Sequence, residues 1–231
     1  MSETSLITMG ATEALSRTRS LAETAYDTIE QMIVSRRLAP GAMVSENEIA
    51  AELSLGRTPI REALARLKAI GFVEVHPRRG VLVTPVDVIR HLELLEVRRP
   101  LDETVARCAI RRAGDGELKI LRGLAADLVA VAGDRERDRY FRAKRLLHEA
   151  QTRAAHNGTL IATMASLHAQ SRRFWYSYEP SDRFAESARH HVEIVEGIAG
   201  RDESRAVGAV VRLFGFLDAL TREALDRRPL V

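Results

Sequence analysis

The sequence predicts a mainly α-helical protein in two parts: three short helices with a β-hairpin, then an all-helical domain. Three observations carry this. Apolar residues recur at helical spacing over most of the chain, strand-like alternation is confined to residues 72–83, and 231 residues exceed what a single core usually serves. The expected boundaries are a flexible tail over residues 1–20, a first domain over 21–85 and a second over 86–231. With 45% hydrophobic and 29% charged residues, the composition is that of a folded, soluble chain rather than a disordered one.

The opening segment MSETSLITMGATEALSRTRS is polar, unpatterned and without the apolar core of a secretory signal, and no apolar run approaches a membrane span. The single cysteine, Cys108, excludes an internal disulfide framework. Beside Val105 and Ala109 it reads as a small buried residue rather than a nucleophile. A cytoplasmic protein without a membrane partner is therefore expected.

Tyr26, Ile29 and Ile33 lie on one face of a first helix, expected over Leu21 to Arg37, and Pro40-Gly41 supplies the turn after it. Ser45-Glu46-Asn47-Glu48 is a capping box, the serine accepting from the third amide while Glu48 reaches back, and it opens a short second helix. Thr58-Pro59 is expected to start a third, with a capping hydroxyl and a proline at its first position. Ile60, Ala63, Leu64 and Leu67 form its buried stripe. Thr58, Arg61, Ala65 and Lys68 fall on the opposite side. Gly71 ends the helix, and Phe72–His76 and Val81–Val83 alternate around Pro77-Arg78-Arg79-Gly80 as a hairpin.

Two short helices joined by a tight turn, followed by such a hairpin, form a winged helix-turn-helix, whose second helix is shaped to enter a major groove. Net charge does not reveal this. The chain carries +3 overall, but residues 1–85 hold ten basic and ten acidic residues. Local placement is more informative: Arg57 to Lys68 contain four basic residues against Glu62 alone. Arg57 and Arg61 can each donate two hydrogen bonds to a guanine edge, Thr58 suits a phosphate, and Ala65 permits close approach. Helix pairs of this shape also occur in proteins that bind no nucleic acid, and there the same arginines are solvated charges.

From Val88 onward the pattern is helical throughout. Breaks at Gly114–Gly116, Gly133-Asp134, Asn157-Gly158, Glu179-Pro180 and Gly200–Asp202 delimit about six helices. Several polar residues occupy apolar positions there. Arg98 falls in line with Leu94, Leu95, Leu101 and Val105, His191 shares the face of Ile194, Val195 and Ile198, and His148 lies one turn from Lys144. Read singly, each fits a paired core residue. Read together, Arg98, Lys144, His148 and His191 converge on a polar pocket. Trp175-Tyr176-Ser177-Tyr178 reads as core or subunit interface rather than a base-stacking platform or a pocket wall.

Three blocks, Ala39-Pro-Gly-Ala-Met-Val-Ser-Glu-Asn-Glu-Ile-Ala, Gly56-Arg-Thr-Pro-Ile-Arg-Glu-Ala-Leu-Ala-Arg-Leu and Pro77-Arg-Arg-Gly-Val, resemble the GntR family of bacterial transcription regulators. The resemblance implies double-stranded operator DNA as partner, with contacts from Asn47, Arg57, Thr58, Arg61 and the wing tip at Gly80, which the basic pair Arg78 and Arg79 precedes. Gly80 itself, without a side chain, would let the wing backbone approach a minor groove. Gly56 stands where many relatives have serine.

Glu96-Val-Arg-Arg-Pro-Leu-Asp, His148 with Asn157, and His191 followed by Ile194, Ile198 and Asp202 resemble the FadR-like (FCD) branch, more loosely. This implies an antiparallel bundle of six to seven helices that binds a small organic acid and dimerises, with repression released by the ligand. A homodimer reading a palindromic operator follows. Arg98, Lys144, His148, Asn157 and His191 are the expected effector contacts. Many members of the branch hold a divalent metal with an Asp and three His. His148 and His191 match two of these, but Lys144 takes the Asp position and Leu213 the third His. No cofactor is therefore expected: an ammonium beside two imidazoles repels a cation, and Lys144 could grip an anion directly. The alternative, an enzyme using His148 and His191 as acid and base or as metal ligands, lacks a neighbouring carboxylate motif.

Overall fold

The computed structural model describes residues 20–227, so the expected tail, Ser20 excepted, lies outside the described residues. The chain divides between Thr84 and Pro85 into two compact units.

The first unit runs α1 (Leu21–Val34), β1 (Met43–Val44), α2 (Glu46–Leu53), α3 (Arg57–Ala69), β2 (Val73–His76) and β3 (Gly80–Val83). Ser20 caps α1 in a capping box with Glu23. The helix stops at Val34, three residues before the expected Arg37. Arg36 turns left-handed, with φ of 61°, and Leu38 N then bonds Met32 O. Its buried residues Ala25, Ile29, Met32 and Ile33 pack on α3, whose Ile60, Ala63, Leu64 and Leu67 are buried as the periodicity predicts. Arg66 adds a guanidinium 4.1 Å above the Tyr26 ring.

Two local expectations are corrected. The N-cap of α3 is Gly56, which offers no side-chain acceptor, so Thr58 is the second helical residue and Pro59 the third. The hairpin also acquires a third strand, in the antiparallel order β1-β3-β2, with Val44 opposite Val81 and His76 opposite Gly80. β1 is only two residues long, too short to show a period. It gives Gly80 a different reason to be glycine: φ is 112° there, and a Cβ would stand 2.7 Å from the Val44 carbonyl oxygen. The wing turn is Pro77–Arg79, with Arg78 left-handed.

The second unit contains α4 (Val88–Arg112), α5 (Asp115–Asp134), α6 (Arg137–Ala154), α7 (Gly158–Tyr178), α8 (Phe184–Ala199) and α9 (Glu203–Glu223), with short 3-10 turns at Ser181–Arg183 and Ala224–Asp226. The helix breaks fall where glycine, asparagine and proline predict them. The core joins Leu121 and Leu128 of α5, Tyr140 of α6, Phe174 of α7, Phe184 of α8 and Ala206 of α9. Tyr140 and Phe184 stack at 4.0 Å between ring centroids.

α8 and α9 approach so closely that a Cβ on Gly197 would stand 2.6 Å from the Ala206 backbone. Gly197→Ala therefore forces two backbones apart. It is expected to destabilise the protein by about 1–3 kcal/mol in urea unfolding, the usual cost of overpacking. An unchanged midpoint would contradict this contact.

Candidate DNA-reading face and buried polar cavity

On the first unit, Asn47 of α2 and Arg57, Thr58, Arg61 and Ala65 of α3 are exposed, as are Arg78 and Arg79 in the wing turn, while Gly80 is partly covered. Because Gly56 provides no capping oxygen and Pro59 has no N–H, the first-turn amides of Arg57 and Thr58 carry no side-chain cap. That is the local arrangement that receives a phosphate. Arg61 is 65% exposed, and its Nε donates to Glu46 Oε2 at 2.8 Å. In solvent such a pair contributes little stability, but it restricts where the guanidinium points.

Inside the second unit the structure gathers Arg98 of α4, Lys144 and His148 of α6 and His191 of α8, all buried. Two small adjoining cavities share Arg98, His148 and His191 in their walls. The His148 ring lies 4.9 Å from that of His191 and 4.5 Å from that of His168, measured between centroids. Burial, reinforced by neighbouring cations and imidazoles, holds His148 and His191 well below the ordinary histidine pKa, so both are neutral at pH 7.

Arg98 and Lys144 both have anionic partners. Arg98 donates to Asp102 Oδ2 at 3.0 Å and to Ser171 Oγ at 2.7 Å. Lys144, expected to grip a ligand directly, instead donates to Glu179 Oε2 and to Ser187 Oγ, both at 3.1 Å. Tyr140 donates its hydroxyl to the other oxygen of Glu179, and Glu179 has no exposed surface. Burial pulls the Lys144 ammonium below the usual lysine pKa, against the opposing pull of Glu179. At Asp102 burial raises the carboxyl, but Arg98 and His168 outweigh it and hold it below the usual aspartate value.

Asn157 does not join this group. Its Oδ1 accepts from the amides of Thr159 and Leu160, so it is the N-cap of α7. Conversely, Asp102, His168, Ser171 and Glu179 were not anticipated. Trp175 belongs both to the aromatic core, edge-on to Phe174, and to the cavity wall.

Several buried polar atoms at the cavities have no hydrogen-bond partner among the described residues: Arg98 Nε, Trp175 Nε1, His148 Nδ1 and both nitrogens of His191. These atoms call for a polar ligand or water. The donor set does not fit a divalent cation. Lys144 places an ammonium where the resemblance implies a carboxylate, Leu213 lines the first cavity with an apolar side chain, and Asp102 is already engaged by Arg98. Among the described residues no group of three or more His, Cys, Asp or Glu is arranged to hold a metal ion.

A winged helix-turn-helix with an arginine-bearing recognition helix, joined to an all-helical domain with a polar interior, defines a class of DNA-binding regulators. Residues 21–83 match the gntR family of bacterial regulatory proteins and residues 93–216 match the FCD domain. The chain belongs to the GntR family, with an FCD domain, and is a transcriptional regulator. It is 29% identical over 182 residues to the Nta operon transcriptional regulator of Aminobacter aminovorans, covering 78% of this chain and 84% of that one. It is 27% identical over 202 residues to the probable D-xylose utilization operon transcriptional repressor of Paenarthrobacter nicotinovorans, covering 87% and 89%. Among solved structures, E. coli McbR/YncC shares the fold with a TM-score of 0.80 over 90% of this chain and all of its own, at 17% identity. No described helix is long and apolar enough to cross a membrane.

The Lys144–Glu179 pair yields a prediction about stability. Lys144→Met strands a buried carboxylate and is expected to cost about 3–5 kcal/mol in chemical unfolding. Adding Glu179→Gln removes the stranded charge and should recover most of that loss. A double variant no more stable than Lys144→Met would contradict the pairing.

Proposed function

We propose that this chain is a cytoplasmic, dimeric repressor that binds a palindromic operator and is released when a small carboxylate occupies its helical domain. The observation that carries the ligand half is the set of unpartnered buried donors and imidazole nitrogens on Arg98, Trp175, His148 and His191. In this reading Arg98, His148 and His191 contact the acid. Lys144 is a positioning residue that acts through Glu179 and Ser187. Asn157 keeps only its capping role, and no metal takes part. Occupancy of the cavity favours one conformation of the bundle over another, and in the dimer this changes the spacing of the recognition helices.

On the DNA side, Arg57, Thr58 and Arg61 of α3 read the major groove with support from Asn47 and Ala65, while Arg78, Arg79 and the Gly80 backbone serve the wing. Glu46 occupies the Nε edge of Arg61, which leaves the terminal amino groups for guanine O6 and N7. Repression rather than activation is the reading favoured by the relative described as a probable operon repressor.

Gel shift with the intergenic DNA upstream of the protein's own gene tests this half. Arg61→Ala is expected to weaken the complex about 5- to 150-fold, the equivalent of losing one base contact of about 1–3 kcal/mol, and to relax preference at one position per half-site. Unchanged affinity and specificity would remove Arg61 from the recognition surface. No retarded band with the wild-type protein would remove this DNA as its operator.

A further inference from the structure

The two cavities meet at Arg98, His148 and His191 but differ in character. The second has Lys144, Arg172, His168 and Ser171 in its wall beside Phe141 and Leu217, and it holds the unpartnered Trp175 Nε1. The first is walled mainly by Val105, Ala106, Ile194, Ile198, Val210 and Leu213. Its two further polar residues are Gln151, a neutral amide, and Asp102, a carboxylate already satisfied by Arg98.

We infer that the ligand is a monocarboxylate with a short saturated tail, its head in the polar cavity and its tail against the apolar wall. This rests on the reading that the helical domain binds a small organic acid, and it names the class of acid. The head meets donors that otherwise lack partners, namely Arg98 Nε and Trp175 Nε1, together with imidazoles that are neutral and each supply one donor and one acceptor. The far end meets methyl groups. A dicarboxylate would bring its second charge onto that wall and toward Asp102, where no free cation compensates it. A polyhydroxy acid would bury hydroxyls there with too few partners. A small volume on each side of the junction limits the tail to a few carbons.

Isothermal titration of the full chain with acetate, propionate, butyrate, succinate and glycerate tests the inference. Each methylene from acetate to butyrate is expected to tighten binding about fourfold, the transfer free energy of one buried methylene. Succinate and glycerate should bind at least about tenfold more weakly than butyrate, as a buried unpaired polar group requires. Leu213→Ser should lower affinity for butyrate while leaving acetate unchanged. The chain-length series on the wild-type protein decides the matter even if that variant does not fold. Succinate or glycerate binding as tightly as butyrate, or a flat chain-length series, would overturn the apolar-tail assignment and leave the organic-acid reading standing. Failure of all five acids to bind a folded wild-type protein would overturn both.

Discussion

A cation inside a helical domain must be paired, and the interior of the second unit is organised around that requirement. Arg98 and Lys144 are both buried, and isolated charges at such depth are far too costly to persist. Asp102 and Glu179 meet them, and the hydrogen bonds of both cations tie separate elements together. Arg98 links α4 to α7 through Ser171. Lys144 links α6 to α8 through Ser187 and to the end of α7 through Glu179. Glu179 is held in turn by its backbone, with its N–H on the Trp175 carbonyl and its own carbonyl accepting from Arg137. The place where α7 ends thus determines where the Lys144 charge is neutralised.

The same pairing shapes the chemistry that remains. With Arg98 and Lys144 each matched to a carboxylate and His148 and His191 kept neutral by burial, much of the charge at the cavity is compensated, yet directed donors remain. Under the proposed function, such a site favours a small, singly charged ligand whose remainder is apolar. A divalent cation meets the reverse of what it needs: an ammonium near the imidazoles, and carboxylates committed to other partners. In the proposed reading, side chains supply the positive groups that a metal would otherwise bring to an acid.

Much of this organisation is legible in the amino-acid pattern. The capping box at Ser45, the apolar stripe of α3, the alternating hairpin and the six helical segments follow from local periodicity and turn chemistry. Arg98, Lys144, His148 and His191 stand out as polar residues at apolar positions, and the fold brings them together. His168 carries the same signal, in line with Leu160, Met164 and Trp175, and Asp102 stands one helical turn from Arg98. Ser20, the last residue read as tail, forms a capping box with Glu23 of the first helix. Asn157 shows the opposite error, since an asparagine just before a helix is first of all a cap. Glu179 was out of reach for a different reason. Beside Pro180 it reads as a break, and its partner lies 35 residues away, so nothing local marks it as buried. β1 and the constraint on Gly80 are likewise products of tertiary pairing.

The central claim is that paired side chains, without a metal, form the acid-binding interior. Elemental analysis of the purified full chain, combined with thermal unfolding in the presence of zinc or of butyrate, tests it most directly. The account predicts less than one-tenth of an equivalent, on the order of background, of any transition metal, a melting temperature that zinc does not raise, and one that butyrate does. A stoichiometric metal in the purified protein, or stabilisation by zinc with none by the acid, would contradict it.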